Sequence, residues 1–269
     1  MECVGLVARP VFKTGLRTQR GRGGSIPPHS VLQEPDAAPS VATYNTYQEK
    51  NGRDHLLEEL LGGCDALVFL QEVSPRRAFR LRRAFRDRAF LSPARHGLQY
   101  LATVLPERAH FTGRRTVQLN GYAGMIPAAW AVRRGCALYR SGGRRWRDCF
   151  EPRVAQVGRV SWQGLNFQVV NTHLPLESGL RNRSLSRLAS HLEDGDVVLA
   201  GDLNATRGDL FLNDFILMER LRAAGSEEAT HIGGRRIDYV LYRGGFREVG
   251  YSTEKSLSDH FLLRVDLEV

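Results

Sequence analysis

The feature that most constrains this chain is a pattern repeated along it: a short run of apolar and β-branched residues that stops on a carboxylate, an amide or an imidazole. In "VVLAGDLNATRGD" (residues 197–209), Val197, Val198, Leu199 and Ala200 read as a buried strand. The run passes Gly201 and then places Asp202 and Asn204 two residues apart, on the same side of extended backbone. Asn45 lies near the end of "SVATYNTY" (40–47), Glu72 near the end of "DALVFLQEV" (65–73) and His173 near the end of "NFQVVNTHL" (166–174). Asp238 sits inside "RRIDYVLYR" (235–243), and Asp259-His260 opens "DHFLLRVDLEV" (259–269). One polar residue at a strand end is ordinarily a turn former, and one Asp-His pair is ordinarily a surface pair. Six such placements in one chain ask for a common cause, namely strand ends that converge at one rim of a layered α/β fold.

Helix-like segments separate these runs. "DHLLEELLGG" (54–63) carries leucines at helical spacing and ends on a Gly pair suited to a C-cap. "RRAFRLRRAFRDRAF" (76–90) reads as a helix with Ala78, Phe79, Leu81, Phe85 and Phe90 toward the core and its arginines in water. "NRSLSRLASHLEDGD" (182–196) spaces Leu185, Leu188 and Leu192 by three and four, and "LFLNDFILMERLRAAG" (210–225) is a further helix. Residues from about 97 to 165 look like several strands with Gly-rich turns. In the last strand, Phe261, Leu263, Val265 and Leu267 alternate with Arg264, Asp266 and Glu268, so one face is half-exposed. Residues 1–39 differ: they are rich in Gly, Pro and Arg, lack any period, and hold no acidic residue between Val4 and Gln33. They read as a flexible basic tail or as an arm that touches phosphates, ahead of one folded domain over residues 40–269.

Charge narrows the choice of partner. The net charge is +9, and all but Lys13, Lys50 and Lys255 of the 38 basic side chains are arginine. A GC-rich coding sequence produces that bias. So does a polyanionic partner, because guanidinium forks fit phosphate oxygens. No apolar run approaches a membrane span, which argues against stable membrane insertion. Four cysteines (Cys3, Cys64, Cys136, Cys149) form no zinc spacing and are too few for a disulfide scaffold, so a reducing, cytoplasmic setting is the default. Cys136 and Cys149 flank the turn Ser141-Gly142-Gly143-Arg144, and a hairpin closed there would set their sulfurs opposite each other. The chain is read as a monomer, with protein partners left open.

The strand-end residues suit one chemistry. Glu72 and Asp259, with the amide oxygen of Asn45, are hard donors that favour Mg²⁺ or Mn²⁺. Hydrolysing a phosphate ester needs a positioned water, a base and charge neutralisation on the phosphoryl oxygens. Asp202 can take the water's proton, and Asn204 can orient the water or the phosphate. His260 can donate to a phosphoryl oxygen if Asp238 holds its other ring nitrogen.

Taken in order, "YNTY", "LQEV", "NTHL", "GDLNA", "RIDYVL" and "SDHFLL" resemble the motif set of the endonuclease/exonuclease/phosphatase superfamily. The resemblance covers about residues 41 to 269. It implies a four-layer αββα sandwich of two mixed β-sheets and divalent-metal phosphoester hydrolysis. It implies that Asn45, Glu72 and Asp259 surround the metal, that Asp202 and Asn204 activate water, and that Asp238 orients His260. It makes His173 a second active-site histidine on the phosphate. Two departures stand out. Several nucleases of the family carry an arginine close behind the metal-binding Glu; here Val73-Ser74-Pro75 follow Glu72, and Arg76 comes later. Tyr100 stands roughly where an aromatic phosphate contact belongs. Arg76, Arg80 and Arg83, on the helix that follows Glu72, complete the expected substrate contacts, and Arg80, Arg82, Arg83 and Arg86 read either as a solvated face or as a track for the phosphates of a polynucleotide. The leading expectation is a nuclease or phosphodiesterase on DNA or RNA. The alternatives are a phosphatase or phosphodiesterase on lipid headgroups or inositol phosphates, and an inactive binding protein of the same fold.

Overall fold

The computed structural model describes residues 39–47, 55–63, 66–94, 98–120, 151–225 and 227–269. Residues 1–38 of the expected basic tail and the hairpin expected between Cys136 and Cys149 lie outside the described residues.

The apolar runs become strands: β1 Ser40–Asn45, β2 Ala66–Val73, β3 Ala89–Ala94, β4 Gln99–Val104, β5 Ala109–Gln118 and β6 Val154–Trp162. β7 Leu165–His173, β8 Val197–Asp202, β9 Arg222–Ala223, β10 Asp238–Arg243, β11 Arg247–Glu254 and β12 Leu262–Glu268 follow. They form two six-stranded sheets, in the orders β11-β12-β1-β2-β4-β3 and β5-β6-β7-β8-β10-β9. Each sheet is mixed, with one parallel pair at its centre: β1 beside β2, and β7 beside β8. Burial on both faces explains why β2 and β8 open as continuous apolar runs and do not alternate.

Among the described residues, four helices cover the outer faces. They are α1 His55–Gly63 and α2 Pro75–Phe85 on the first sheet, and α3 Ser178–Ala189 and α4 Leu210–Met218 on the second. Leu57, Leu61, Ala78 and Leu81 pack on Val68, Leu70 and Val104, while Leu185, Leu188, Leu212 and Phe215 pack on Val170, Leu199 and Leu241. Between the sheets lies a third core, where Val41, Phe69, Val265 and Leu267 meet Trp162, Phe167, Val198 and Val240. The result is the αββα sandwich. Among the described residues no helix is long and apolar enough to cross a membrane.

The inter-sheet layer turns polar toward one end. Gln71 Nε2 donates to Asn171 Oδ1 at 2.9 Å, and Asn171 Nδ2 reaches the Ala102 carbonyl at 3.0 Å. Thr103 Oγ1 donates to Gln156 Oε1 at 2.7 Å, and Gln156 Nε2 reaches the Phe90 carbonyl, also at 2.7 Å. Buried amides are tolerated when hydrogen-bonded, and these bonds cross from sheet to sheet. They fix the two sheets' relative position beneath the strand ends that carry the polar residues.

Four boundaries differ from the sequence reading. The helix expected over 76–90 ends at Phe85: Arg86 adopts a positive φ of 44°, a short turn follows, and Phe90 joins β3 beside β4. Within that helix Phe79 is 68% exposed, while Arg77 is buried with Ala78 and Leu81 and paired with Glu58 at 2.6 Å. The helix expected over 182–196 begins earlier, because the Glu177 carboxylate caps the Gly179 and Leu180 amides. The helix expected over 210–225 ends at Met218, and β12 begins at Leu262, leaving Asp259 and His260 in the loop before it.

Candidate active site

The topology brings the polar strand ends together. β1, β2, β7 and β8 finish at Asn45, Glu72 (one residue before the end), His173 and Asp202. β10 runs antiparallel to β8, so it starts where β8 stops, and Asp238 pairs directly with Asp202. β12 runs antiparallel to β1, so the loop that precedes it delivers Asp259 and His260 to the same rim.

Asp202 is the centre of the arrangement and is fully buried. Its Oδ2 accepts from Asn45 Nδ2 at 3.1 Å and faces His173 Nε2 at 3.3 Å and His260 Nε2 at 3.7 Å. Its Oδ1 accepts from the Asn204 backbone N–H at 3.0 Å. Local sequence explains this aim. Gly201 has φ +146°, and a Cβ there would stand 1.9 Å from the Thr172 carbonyl oxygen, so only glycine lets β8 lie this close to β7. Asn204 takes the left-handed conformation that asparagine tolerates (φ +50°), and its side chain is tied to the Leu174 carbonyl at 2.9 Å.

His260 is also buried. Its Nδ1 stands 2.9 and 3.1 Å from the two Asp238 oxygens, which assigns the Nδ1 proton to that contact and turns Nε2 toward Asp202. The Ser258 hydroxyl accepts from the His260 amide at 3.1 Å and donates to the Asn45 carbonyl at 2.7 Å, tying this loop to β1. Burial pushes the Asp202 carboxyl up, the charge of Asp238 adds to it, and the pKa reaches about 7. Burial alone would lower His260; the charge and hydrogen bond of Asp238, with Asp202 and Asp259, overturn this and carry it to about 9.

Glu72 reaches the rim by a backbone irregularity. The β2–β4 register shifts between Leu70 and Val73, and Glu72 has φ +52°. Leu70 and Val73 both face the helix-side core, so Glu72 is an inserted residue whose side chain escapes the strand's alternation. Its Oε2 accepts from Gln99 Nε2 at 2.7 Å. Together with His173 and Tyr100 it lines a crevice of about 10 Å³. Asp259, by contrast, lies beside a residue that the sequence reading did not single out: His231 Nε2 is 3.8 Å from Asp259 Oδ2. The His231 ring stands edge-to-face on His260, with centroids 5.0 Å apart. His231 Nδ1 accepts from the Gly233 amide at 2.8 Å, so its proton lies on Nε2, directed at Asp259. The signal for it was a histidine followed by a Gly-Gly turn, seven residues before Asp238.

Among the described residues, two groups of carboxylates and imidazoles have ligand atoms within 4.8 Å of one another: Asp202-Asp238-His260 and His231-Asp259-His260. Glu72 belongs to neither group; with Asn45, whose amide oxygen is a donor of another type, it ends its strand at the rim to which the loop before β12 brings Asp259. The oxygen donors they offer, with no cysteine among them, fit a hard divalent cation. Of the expected substrate contacts, Tyr100 adjoins Glu72, whereas Arg76, Arg80 and Arg83 are exposed along α2.

The class is a layered α/β sandwich of two mixed sheets, with acidic, amide and imidazole groups gathered at its strand ends. The chain belongs to the Endonuclease/Exonuclease/phosphatase family, whose model matches residues 42–260; this is a family of metal-dependent phosphoesterases. Among solved structures, it is similar to an endonuclease/exonuclease/phosphatase from Bacteroides vulgatus: TM-score 0.66, 16% identity, covering 86% of this chain and 98% of that one. A mannosyl-6-phosphatase from Bacteroides thetaiotaomicron aligns with TM-score 0.63 at 13% identity, covering 86% of this chain and 100% of that one. D. rerio TDP2, complexed with single strand DNA product, aligns with TM-score 0.58 at 13% identity, covering 87% of this chain and 100% of that one. At these identities the likeness is one of fold. No curated protein sequence matches the chain significantly.

Proposed function

We propose that this protein is a divalent-metal-dependent phosphodiesterase that cleaves nucleic acid. The observation that carries the reading is the buried Asp202 carboxylate, held between two histidines with its pKa raised to about 7. A general base is most effective when its pKa lies near the working pH. Glu72, Asp259 and Asn45 would hold Mg²⁺ or Mn²⁺, which when bound supplies a Lewis acid to the phosphoryl oxygen and leaving group.

The chain's own residues divide the remaining work. Asp202, its two oxygens held by the Asn45 amide and the Asn204 backbone, takes the proton of the attacking water. His260, kept as imidazolium by Asp238, donates from Nε2 to a non-bridging phosphoryl oxygen as charge grows there. His173 approaches the same phosphate from β7. Asn204 steadies the loop that carries this edge of the site. A net charge of +9, almost all of it on arginine, supports a polyanionic substrate.

The test is a panel of plasmid, single-stranded DNA, RNA, inositol phosphates and lipid headgroup esters, each with Mg²⁺, Mn²⁺ or chelator. Cleavage of polynucleotide in a metal-dependent manner is expected. Hydrolysis confined to inositol phosphates or headgroup esters would overturn the nucleic-acid reading, and full activity in chelator would overturn the metal.

A further inference from the structure

Beside the site runs a groove of about 920 Å³, bounded by α2, β3 and β5 where the edge strands of the two sheets meet. Its walls include Phe79, Arg82, Arg86, Phe90, Tyr100 and Arg114. Phe79 and Arg82 stand three apart on one face of α2, and Arg86 follows at the helix C-cap. Of the arginines expected along this helix, Arg82 and Arg86 line the groove, whereas Arg76, Arg80 and Arg83 occupy the neighbouring stripe.

Three properties of the groove select its occupant. Arg82, Arg86 and Arg114 are exposed, against one acidic wall residue, Asp87, among the described residues. Phe79 presents its ring to solvent at 68% exposure, an aromatic face open to a partner. Arg114 is held in place, its guanidinium 5.8 Å from the centroids of both Phe90 and Phe111, which are themselves packed edge-to-face at 5.9 Å. Fixed guanidiniums suit phosphates, and exposed aromatic faces suit unpaired bases. At about 920 Å³ the groove stands at the upper end of small-molecule pockets, too large for a lone phosphate to fill. Tyr100 borders both the groove and the crevice shared by Glu72 and His173.

We propose that this groove binds a single-stranded polynucleotide segment, stacking its bases on Phe79 and Tyr100 and its phosphates on Arg82, Arg86 and Arg114. The strand then passes Tyr100 and enters the site at Glu72. A duplex keeps its base faces hidden and can use only the arginines. The proposal rests on the nucleic-acid reading above and narrows it to unpaired strands.

The test measures binding in chelator, without cleavage, of a fluorescein-labelled 12-nucleotide oligothymidine and of its duplex with oligoadenosine. The full chain is used, with inositol hexakisphosphate as an unlabelled competitor. Phe79→Ala is expected to weaken single-strand binding about tenfold, the scale of one lost base stack, and duplex binding less than about twofold. Arg82→Gln/Arg86→Gln/Arg114→Gln is expected to reduce the slope of log K against log salt by about 2, at about 0.7 per phosphate on a single strand. Unfolding midpoints establish that the variants are folded. Unchanged single-strand affinity in folded Phe79→Ala, or equal losses on strand and duplex, overturns the proposal. So does inositol hexakisphosphate competing equally well with wild type and the triple variant. Wild-type hydrolysis of bis-p-nitrophenyl phosphate with Mn²⁺, run in parallel, separates the two readings: activity there with no groove effect sinks the groove alone.

Discussion

Replacing Asp238 with Asn tests the orienting pair directly. Asparagine keeps the shape and leaves an oxygen near His260 Nδ1, but removes the charge that stands 2.9 Å from the ring. Moving the His260 pKa from 6.5 to about 9 is worth roughly 3 kcal/mol in favour of the imidazolium. Burial opposes that charge while Asp202 and Asp259 still favour it, so without Asp238 the pKa is expected to fall toward the ordinary value. A full return to 6.5 would leave a few per cent of the ring charged at pH 8 against most of it in wild type, which sets an upper bound of about thirtyfold on the loss from protonation alone. The raised pKa also stabilises the fold: the contribution is whole below pH 6.5 and is lost as pH rises through about 9. Ring nitrogen chemical shifts of His260, titrated in chelator by NMR, read the pKa, and the pH profile of kcat/KM reads its consequence. In chelator the His260 ring is expected to titrate near 9 in wild type and at lower pH in the variant, and the alkaline limb of the metal-loaded kcat/KM profile is expected to move to lower pH with it. A His260 that still titrates near 9 in Asp238→Asn refutes the reasoning.

Three further outcomes are expected. His231→Phe keeps a ring against His260 but removes the Nε2 proton facing Asp259. It should weaken Mn²⁺ binding about tenfold by calorimetric titration, the low end for groups that hold a metal ligand; unchanged affinity would remove His231 from the site. Gly201→Ala puts a methyl 1.9 Å from the Thr172 oxygen at φ +146° and should cost about 3 kcal/mol in urea unfolding, with a cost under about 1 kcal/mol counting against the packing described. Glu72→Gln should raise the Mg²⁺ concentration needed for half-maximal activity, and an unaltered metal dependence would place the ion elsewhere.

The gathering of polar residues at one rim was legible wherever a strand's end marked it. Asn45, His173, Asp202 and Asp238 lie at the ends of strands whose apolar runs are plain in the sequence, and antiparallel pairing of β10 with β8 brings Asp238 to Asp202. Glu72 was found by position, but not its direction, since nothing local announces that a glutamate will adopt a positive φ in an inserted position of β2. His231 escaped because it belongs to a turn, where no period points to a face. The helix of residues 76–90 was drawn too long for a related reason. Its Ala, Leu and Phe spacing continues through Phe90, but pairing of β3 with β4 takes Ala89 and Phe90 into the sheet, a tertiary choice that local propensity does not contain. The same misreading set Phe79 inside and Arg77 outside, whereas the partner of Arg77 is Glu58, on another helix.

The central claim is that Asp202 and a divalent metal together hydrolyse a phosphodiester. Its most direct test is the initial rate of bis-p-nitrophenyl phosphate hydrolysis by wild type and folded Asp202→Asn, in chelator and after Mg²⁺ or Mn²⁺ is restored. The account predicts wild-type activity that vanishes in chelator and returns with metal, and a metal-restored kcat at least about a hundredfold lower in the variant. Wild-type turnover in folded Asp202→Asn, or full activity in chelator, would contradict it.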